Sequence, residues 1–471
     1  MINIVRVIVK ETKNYLNHNA VIDGDKIITY AQLLKAVEKT SKELKKLGVT
    51  RFSRVALLCD DSIDYIVMSL AVLSLYAVII PVPFAFAPDE ANALFENLKV
   101  NFLIFQQGSY PQKSAQATAS GLFITELKVK DRVAPEFYKI NPAFIRFSSG
   151  TTGTSKGVVL SHKTIIARTA AANKGLKIKP NEQIIWVLSM SFHFVVTILL
   201  FLRRGATIIL SSKNFPQGLL RNLNRYPATF IYASPLHYHL LASLNVPRKS
   251  LAKVRLAIST AIKLPAEIAE KFSRKFNFHL AESYGIIEMG LPFINTRGNT
   301  AKRGSVGRIL EDYKIKILNK DPQGVGEIYI QGKGAFDAYF YPWQSSQKVL
   351  VDGWFNTGDL GCLDQDGFLF ILGRLKQLIN FNGMKIFPFE VESILNTHPL
   401  IKESLVYGRP HPEYGQLPAA KIVLKNKGAA LGLEVLRKFC YEHLAAYKVP
   451  KEFEFVDQLP KTVSGKLKIV V

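Results

Sequence analysis

Between two strand-like apolar runs, residues 144–147 and 158–160, the chain reads Ser148-Ser149-Gly150-Thr151-Thr152-Gly153-Thr154-Ser155-Lys156-Gly157. Six hydroxyl side chains, three glycines and one lysine within ten residues suit an anion. Glycine lets backbone amides turn inward at positive φ, hydroxyls donate hydrogen bonds, and Lys156 adds a positive charge for a polyphosphate. The order differs from a Walker A loop, because Gly157 follows the lysine and a strand rather than a helix follows the loop. The competing reading is a flexible surface hairpin, against which stand the β-branched strands that flank it closely.

Such a loop needs rigid elements to hold it. Residues 20–29 read as a hairpin turning at Asp23-Gly24-Asp25, and Thr29 can cap a following helix on which Leu33, Leu34, Val37, Ser41 and Leu44 share one face. Strand-like segments at 54–58, 101–105, 184–188, 228–233 and 254–258 alternate with helical ones, such as 162–174 and 265–276. That rhythm argues α/β layers. From Gly304 the texture changes to short strands at 313–317 and 326–331, broken by Asn319, Asp321, Pro322 and Gly324, which predicts an all-β subdomain. Helices near 389–397 and 432–443 with strands between them predict a small α+β domain at the C-terminal end.

Composition bounds the partners. A chain of 471 residues with 48% apolar content predicts a soluble globular protein of two to three domains. Cys59, Cys362 and Cys440 lie far apart without paired spacing, so neither a disulfide framework nor a zinc site is expected, and a reducing cytoplasm fits. The net charge of +24 favours acidic partners. The basic residues are nevertheless scattered on helix faces such as Glu43-Leu44-Lys45-Lys46, with no RNA-binding signature, so no nucleic-acid binder is inferred. Residues 1–10 carry no signal-peptide pattern. Residues 65–88 hold no charge, but Pro81, Pro83 and Pro88 interrupt them. They read as a buried helix and then a buried strand at 77–82, not as a membrane span.

Four further stretches stand in order behind the loop: Tyr284-Gly285-Ile286-Ile287-Glu288, Gly353-Trp354-Phe355-Asn356-Thr357-Gly358-Asp359, Gly373-Arg374-Leu375-Lys376, and Leu459-Pro460-Lys461-Thr462-Val463-Ser464-Gly465-Lys466. With them the chain resembles, over nearly its whole length, the adenylate-forming superfamily of acyl-CoA and aryl-CoA ligases, adenylation domains and luciferases. The resemblance implies a large N-terminal domain, 1–374, of parallel sheets with helices and a β subdomain at about 304–374. A hinge at 375–376 and a small α+β lid, 377–471, would follow. It also implies a two-step reaction, in which a carboxylate attacks the α-phosphate of ATP to give acyl-AMP and a thiol then displaces AMP.

The same resemblance distributes roles. The loop from Ser148, Ser149, Gly150, Thr151, Thr152, Gly153 and Thr154 to Lys156 would hold the ATP phosphates, and Glu288 the associated magnesium, for which one carboxylate beside phosphate oxygens suffices. Read locally, Glu288 is a solvated glutamate near a helix end. Tyr284, with Gly285, would pack on adenine, and Asp359 and Arg374 would bind the ribose. Lys466 would hold the carboxylate and α-phosphate together for adenylation. Lys376 takes the hinge position, and Gly383 matches the loop bordering the thiol tunnel. Phe192, His193, Thr260, Ala261 and Ile262 correspond to the acyl pocket, with His193 as its gate; a core histidine bonded to a carbonyl is the local alternative.

Two positions depart from the family pattern. Ile287 stands where a threonine hydroxyl would contact the α-phosphate, and Thr260-Ala261-Ile262 replaces Gly-Gly-Ala, which should narrow the pocket. No aspartate follows Phe192 to pair with a substrate ammonium, so an α-amino acid is disfavoured. The expectation is an AMP-forming ligase for an aryl or fatty acid, using ATP, Mg2+ and CoA. The alternatives are transfer to the phosphopantetheine of an acidic acyl carrier protein, or a nucleotide-binding relative without catalysis.

Overall fold

The computed structural model describes residues 1–110, 114–127, 133–148, 156–296, 302–426 and 431–461. Contacts divide the chain into two compact units, Met1–Lys314 with Ile330–Phe355, and Ile315–Tyr329 with Asn356–Val471.

The first unit contains two sheets. In one, the parallel strands Pro142–Ser148, Val78–Pro81, Arg54–Leu58 and Phe102–Phe105 lie side by side in that order. Phe123–Glu126 extends them antiparallel at one end and Lys156–Ser161 at the other. Burial on both faces explains the apolar strands, among them Val78–Pro81. The uncharged run at 65–88 resolves accordingly. The buried helix Ile63–Ser74, capped by Ser62, leads into that strand, and no helix among the described residues is long and apolar enough to cross a membrane.

The second sheet of this unit runs Gly290–Asn295, Ala281–Ile286, Leu256–Ser259, Phe230–Ala233, Gln183–Trp186, Thr207–Leu210, Asn19–Asp23, Lys26–Thr29. Its six middle strands are parallel, and the two outer ones named here pair antiparallel. The expected first hairpin is present. Thr29 and Gln32 form a reciprocal capping box at the start of helix Tyr30–Lys46, which buries Leu33, Val37 and Leu44. Thr40 rather than Ser41 completes its buried face.

Both sheets reverse their strand order at one point. Arg54–Leu58 lies between the strands that follow it in the chain, Val78–Pro81 and Phe102–Phe105, and Gln183–Trp186 lies between Thr207–Leu210 and Phe230–Ala233. Connections therefore diverge at the carboxyl ends of these two strands, and the crevice left there is where open α/β sheets bind ligands.

The second unit joins a β group to a small α+β body. Phe355–Leu363 pairs antiparallel with Leu369–Arg374 and neighbours Gly326–Gly332. The body consists of strands Ile379–Phe381, Met384–Ile386, Ile401–His411, Gly415–Leu424 and Glu452–Phe455 with helices Pro388–Leu395 and Leu433–His443. Ile379, Val391, Leu395, Val406, Ile422 and Leu436 form its core. By contacts, part of the 304–374 segment thus groups with the residues that follow it, whereas the sequence motifs place the boundary at 374. Cys59, Cys362 and Cys440 are free thiols, two of them buried.

Candidate active site

The strands that flank the expected phosphate loop are paired. Pro142–Ser148 and Lys156–Ser161 run antiparallel in a register that pairs Arg146 with Val158, Phe147 with Gly157 and Ser148 with Lys156. Ser149, Gly150, Thr151, Thr152, Gly153 and Thr154 lie outside the described residues. Gly157 answers a steric demand and not a left-handed turn, since a Cβ there would lie 2.6 Å from Leu98 Cδ2 and 3.0 Å from Ile145 Cγ2.

Lys156 Nζ sits 4.8 Å from the ring centroid of Tyr339, and the Tyr339 hydroxyl donates to Glu288 Oε1 at 3.1 Å. The expected phosphate-binding lysine and the expected magnesium-associated acid are therefore joined through one tyrosine. Glu288 lies in the turn of a β-hairpin rather than near a helix end, between Ala281–Ile286 and Gly290–Asn295. The pairing of those strands shifts register between Tyr284 and Ile286. At Gly285 a Cβ would meet Gly290 O at 2.6 Å, so only glycine lets the two backbones approach. The Tyr284 ring lies 6.1 Å from that of Phe293, half-buried on the hairpin.

A residue missed in the sequence fixes this turn. Arg168, buried on helix His162–Leu176, donates from Nε to Gly334 O, from Nη1 to Ile287 O and from Nη2 to Glu288 O, each at 2.6 Å. Three charge-assisted bonds hold the backbone of Ile287-Glu288 in place. Burial lowers the Arg168 pKa to about 10, which leaves it charged at neutral pH. The sequence signal was an arginine on the otherwise buried face of an Ala- and Thr-rich helix.

The residues expected on the acyl side gather near the carboxyl ends of the second sheet's strands. After Gln183–Trp186 the chain passes Phe192 and His193 into a single π-helical turn, Phe194–Ile198, a form often found at functional sites. The His193 ring lies 6.4 Å from Trp186 and 6.5 Å from Tyr232, centroid to centroid. Trp186 and Tyr232, paired in register on neighbouring strands, stack with their planes 9° apart. The Tyr232 hydroxyl reaches Thr260 Oγ1 at 3.4 Å and Ser283 Oγ at 3.5 Å, so the threonine unusual for the family is tied to this aromatic wall. Ala261 has φ +74° and Ile262 is 49% exposed. A left-handed alanine is strained by roughly 1–2 kcal/mol, which accounts for glycine as the usual family residue at this position.

A cleft of about 380 Å³ opens at the carboxyl ends of both order-reversing strands, lined in part by Cys59, Asp60, Asp61, Phe84, Ser189 and Ser191. Asp61 ties the two sheets together there. Its oxygens accept from Met190 N at 3.0 and 3.1 Å, and burial raises its pKa to about 7.

In the second unit, Asp359 and Arg374 face each other across paired strands, Nε to Oδ1 at 2.7 Å. Arg374 Nη1 also donates to Thr357 O at 3.0 Å, while Thr357 Oγ1 accepts from Asp359 N and donates to Ile328 O. Gly358, at φ +70°, allows the bend between Thr357 and Asp359. Lys376 lies in the short 3₁₀ turn Leu375–Gln377. Gly383 follows Asn382 in a two-residue turn with both φ values positive, as Asn-Gly hairpins require. Thr462 to Lys466 lie outside the described residues, so Lys466 is known here only from sequence.

No cluster of three or more metal-ligating side chains occurs among the described residues. A magnesium ion carried on a triphosphate needs only one or two protein carboxylates, and Glu288, partly exposed and held by Tyr339, fits that need.

Comparison with known proteins bears on the family and the fold. The family model described as AMP-binding enzyme matches residues 9–340, and that of the AMP-binding enzyme C-terminal domain matches residues 390–466. A putative acyl-CoA ligase, YdaB, of Bacillus subtilis is 28% identical over 98% of this chain and 97% of its own. The 2-succinylbenzoate-CoA ligase of Bacillus licheniformis is 29% identical over 95% of each chain. Among solved structures, the AMP complex of o-succinylbenzoate-CoA synthetase from Bacillus subtilis superposes with a TM-score of 0.85 at 24% identity, covering 99% of this chain and 97% of that one. That likeness establishes the fold, a mixed α/β one with a large N-terminal and a smaller C-terminal domain. The chain belongs to the AMP-binding enzyme family, within the adenylate-forming superfamily, and its chemistry is that of an AMP-forming ligase.

Proposed function

We propose that the chain activates an aryl or fatty carboxylic acid with ATP and passes the acyl group to CoA. The observation that carries this reading is the junction of the nucleotide and acyl sides within the first unit. The guanidinium of Arg146, on the strand entering the phosphate loop, lies 5.5 Å from the ring of Phe192 at the acyl crevice. The aromatic wall of Trp186 and Tyr232 suits an apolar or aromatic acyl group, and the absence of an aspartate after Phe192 disfavours an ammonium.

In this reading Lys156 and the loop residues from Ser148 to Thr154 hold the triphosphate, and Tyr339 keeps Glu288 oriented toward its magnesium. The ion, when bound, neutralises phosphate charge. Tyr284 and Gly285 border the adenine, and Asp359 with Arg374 holds the ribose. His193, Phe192, Thr260, Ala261 and Ile262 shape the acyl entrance. Lys466 would bring carboxylate and α-phosphate together. The lid at 377–471 then turns about Lys376, and Gly383 borders the thiol path. Relatives named as ligases of acids as different as 2-succinylbenzoate and sulfoacetate support acid–thiol ligation without fixing the acid. The net charge of +24 favours an acidic acyl carrier protein as the second acceptor to try.

The test is acid-dependent release of pyrophosphate from ATP without any thiol, over benzoates, cinnamates, short to long fatty acids and amino acids. Release with one apolar class supports the reading, and thioester formation with CoA or with a carrier protein then chooses the acceptor. Release with amino acids alone, or with no acid in protein that still binds ATP, overturns it.

A further inference from the structure

Arg146 is a charged residue in the middle of an apolar strand; its place marks the junction of the two sides, but no ligand has yet been assigned to its guanidinium. It lies on Pro142–Ser148, two residues before the described strand ends, and the register pairs it with Val158, two residues from Lys156 on the partner strand and so on the same face as Lys156. Its guanidinium stands over Phe192, its Nε is buried without a hydrogen-bond partner, and no carboxylate among the described residues forms an ion pair with it. Burial disfavours its charge, and the foremost electrostatic compensation comes from Glu288, with Arg168 opposing it. Arg168 spends its donors on the carbonyls of Gly334, Ile287 and Glu288, so it neutralises nothing further.

A guanidinium stays protonated in proteins, and an unsatisfied buried donor is costly unless a ligand completes it. An oxyanion is the partner that suits this guanidinium, beside Phe192 on the expected acyl side and within the field of Glu288 on the expected phosphate side. In an adenylating site the α-phosphate stands between those two regions, because that is where the acid's carboxylate meets the nucleotide. Ile287 offers no hydroxyl there. We propose that Arg146 is an α-phosphate-binding residue, whose guanidinium donates to a non-bridging oxygen of that phosphate in place of the hydroxyl that Ile287 lacks. The inference rests on the adenylating function proposed above. The same chemistry could be met by a second acidic group on the acid substrate, and the experiment separates the two.

Binding of AMP and of adenosine to the full-length protein is measured by titration calorimetry, since the two differ only in the phosphate. Arg146→Met should weaken AMP about 10- to 100-fold and leave adenosine unchanged. Single-turnover formation of acyl-AMP should fall by a similar factor for every acid accepted. Ile287→Thr, added to Arg146→Met, should restore at least tenfold of the loss. Equal weakening of AMP and adenosine, or no weakening of AMP, would overturn the proposal. So would a defect confined to the KM of acids with a second anionic group. Should Arg146→Met fail to fold, Arg146→Lys keeps the charge but loses the planar fork, and is expected to lower the preference for AMP over adenosine about 3- to 10-fold; an unaltered preference overturns the assignment. If the wild-type protein releases no pyrophosphate with any acid while the phosphate-dependent binding difference holds, the ligase reading fails and the Arg146 contact stands.

Discussion

Asp359 shows how one carboxylate is prepared before a ligand arrives. Its backbone N–H is taken by Thr357 Oγ1, and its Oδ1 accepts from Arg374 Nε at 2.7 Å. Arg374 is in turn fixed on Thr357 O. A buried carboxyl held in one rotamer by Arg374 can accept from two neighbouring hydroxyls without reorganising, which fits the ribose role. Asp359→Ala is therefore expected to weaken AMP binding about 10- to 100-fold and to abolish the preference for AMP over 2′,3′-dideoxy-AMP. Retention of that preference in titrations would remove Asp359 from the ribose site. Ala261 and Ile287 are residue-scale departures of different kinds. The first strains a backbone that glycine would relax, whereas the second removes a donor, for which the proposal above puts Arg146 in place.

Single elements matter here through what they carry to the carboxyl ends of the sheets. Helix His162–Leu176 delivers Arg168 to the Glu288 turn, and the segment after Arg54–Leu58 delivers Asp61 to Met190 N. Burial raises the Asp61 pKa from 3.8 to about 7; the Met190 bond and Lys213 oppose this, while Asp60 and Asp23 add to it. A carboxyl whose folded pKa is raised keeps its proton in the native state after the unfolded chain has lost it. Its contribution is complete below about pH 4 and is lost as pH rises through about 7. The loss is at most roughly 4 kcal/mol on this count. Asp61→Asn, which keeps an acceptor for Met190 N, should flatten this part of the stability curve between pH 4 and 8 in denaturant titrations. Parallel curves for variant and wild type would show that Asp61 does not titrate in this range. Glu282 and Glu392, also raised to about 7 by burial, leave a residual slope of the same sign.

At the scale of the whole molecule the chemistry is divided. The residues proposed to bind phosphate and acyl group, Glu288 among them, belong to the first unit, while Asp359, Arg374 and Lys466 belong to the second. A reaction in two steps suits that division, since one residue can serve the first step and be withdrawn for the next. Lys466→Ala should reduce acyl-AMP formation at least 100-fold, as an estimate for one lost charge contact and its positioning, while thioester formation from supplied acyl-AMP stays within about threefold. Equal loss in both half-reactions, measured by quenched single-turnover assays, would remove Lys466 from its assigned role.

The order and type of the elements were legible from residue spacing. Alternating apolar runs gave the strands of the first unit, and Thr29 marked a helix start that the structure completes with Gln32 as a capping box. Lys156, Glu288, Asp359 and Arg374 stood out in the sequence because each lies in a contiguous motif, and the structure joins Lys156 to Glu288 through Tyr339 and pairs Asp359 with Arg374. Contacts between distant parts of the chain were not. Arg168 meets Ile287 and Glu288 across about 120 residues, Asp61 meets Met190 across 129, and Arg146 meets Phe192 only where two sheets converge. Local sequence determines which backbone conformation and which face a residue takes. Which buried charge finds which partner is decided only when packing removes water and leaves each donor to be satisfied by whatever the fold brings beside it.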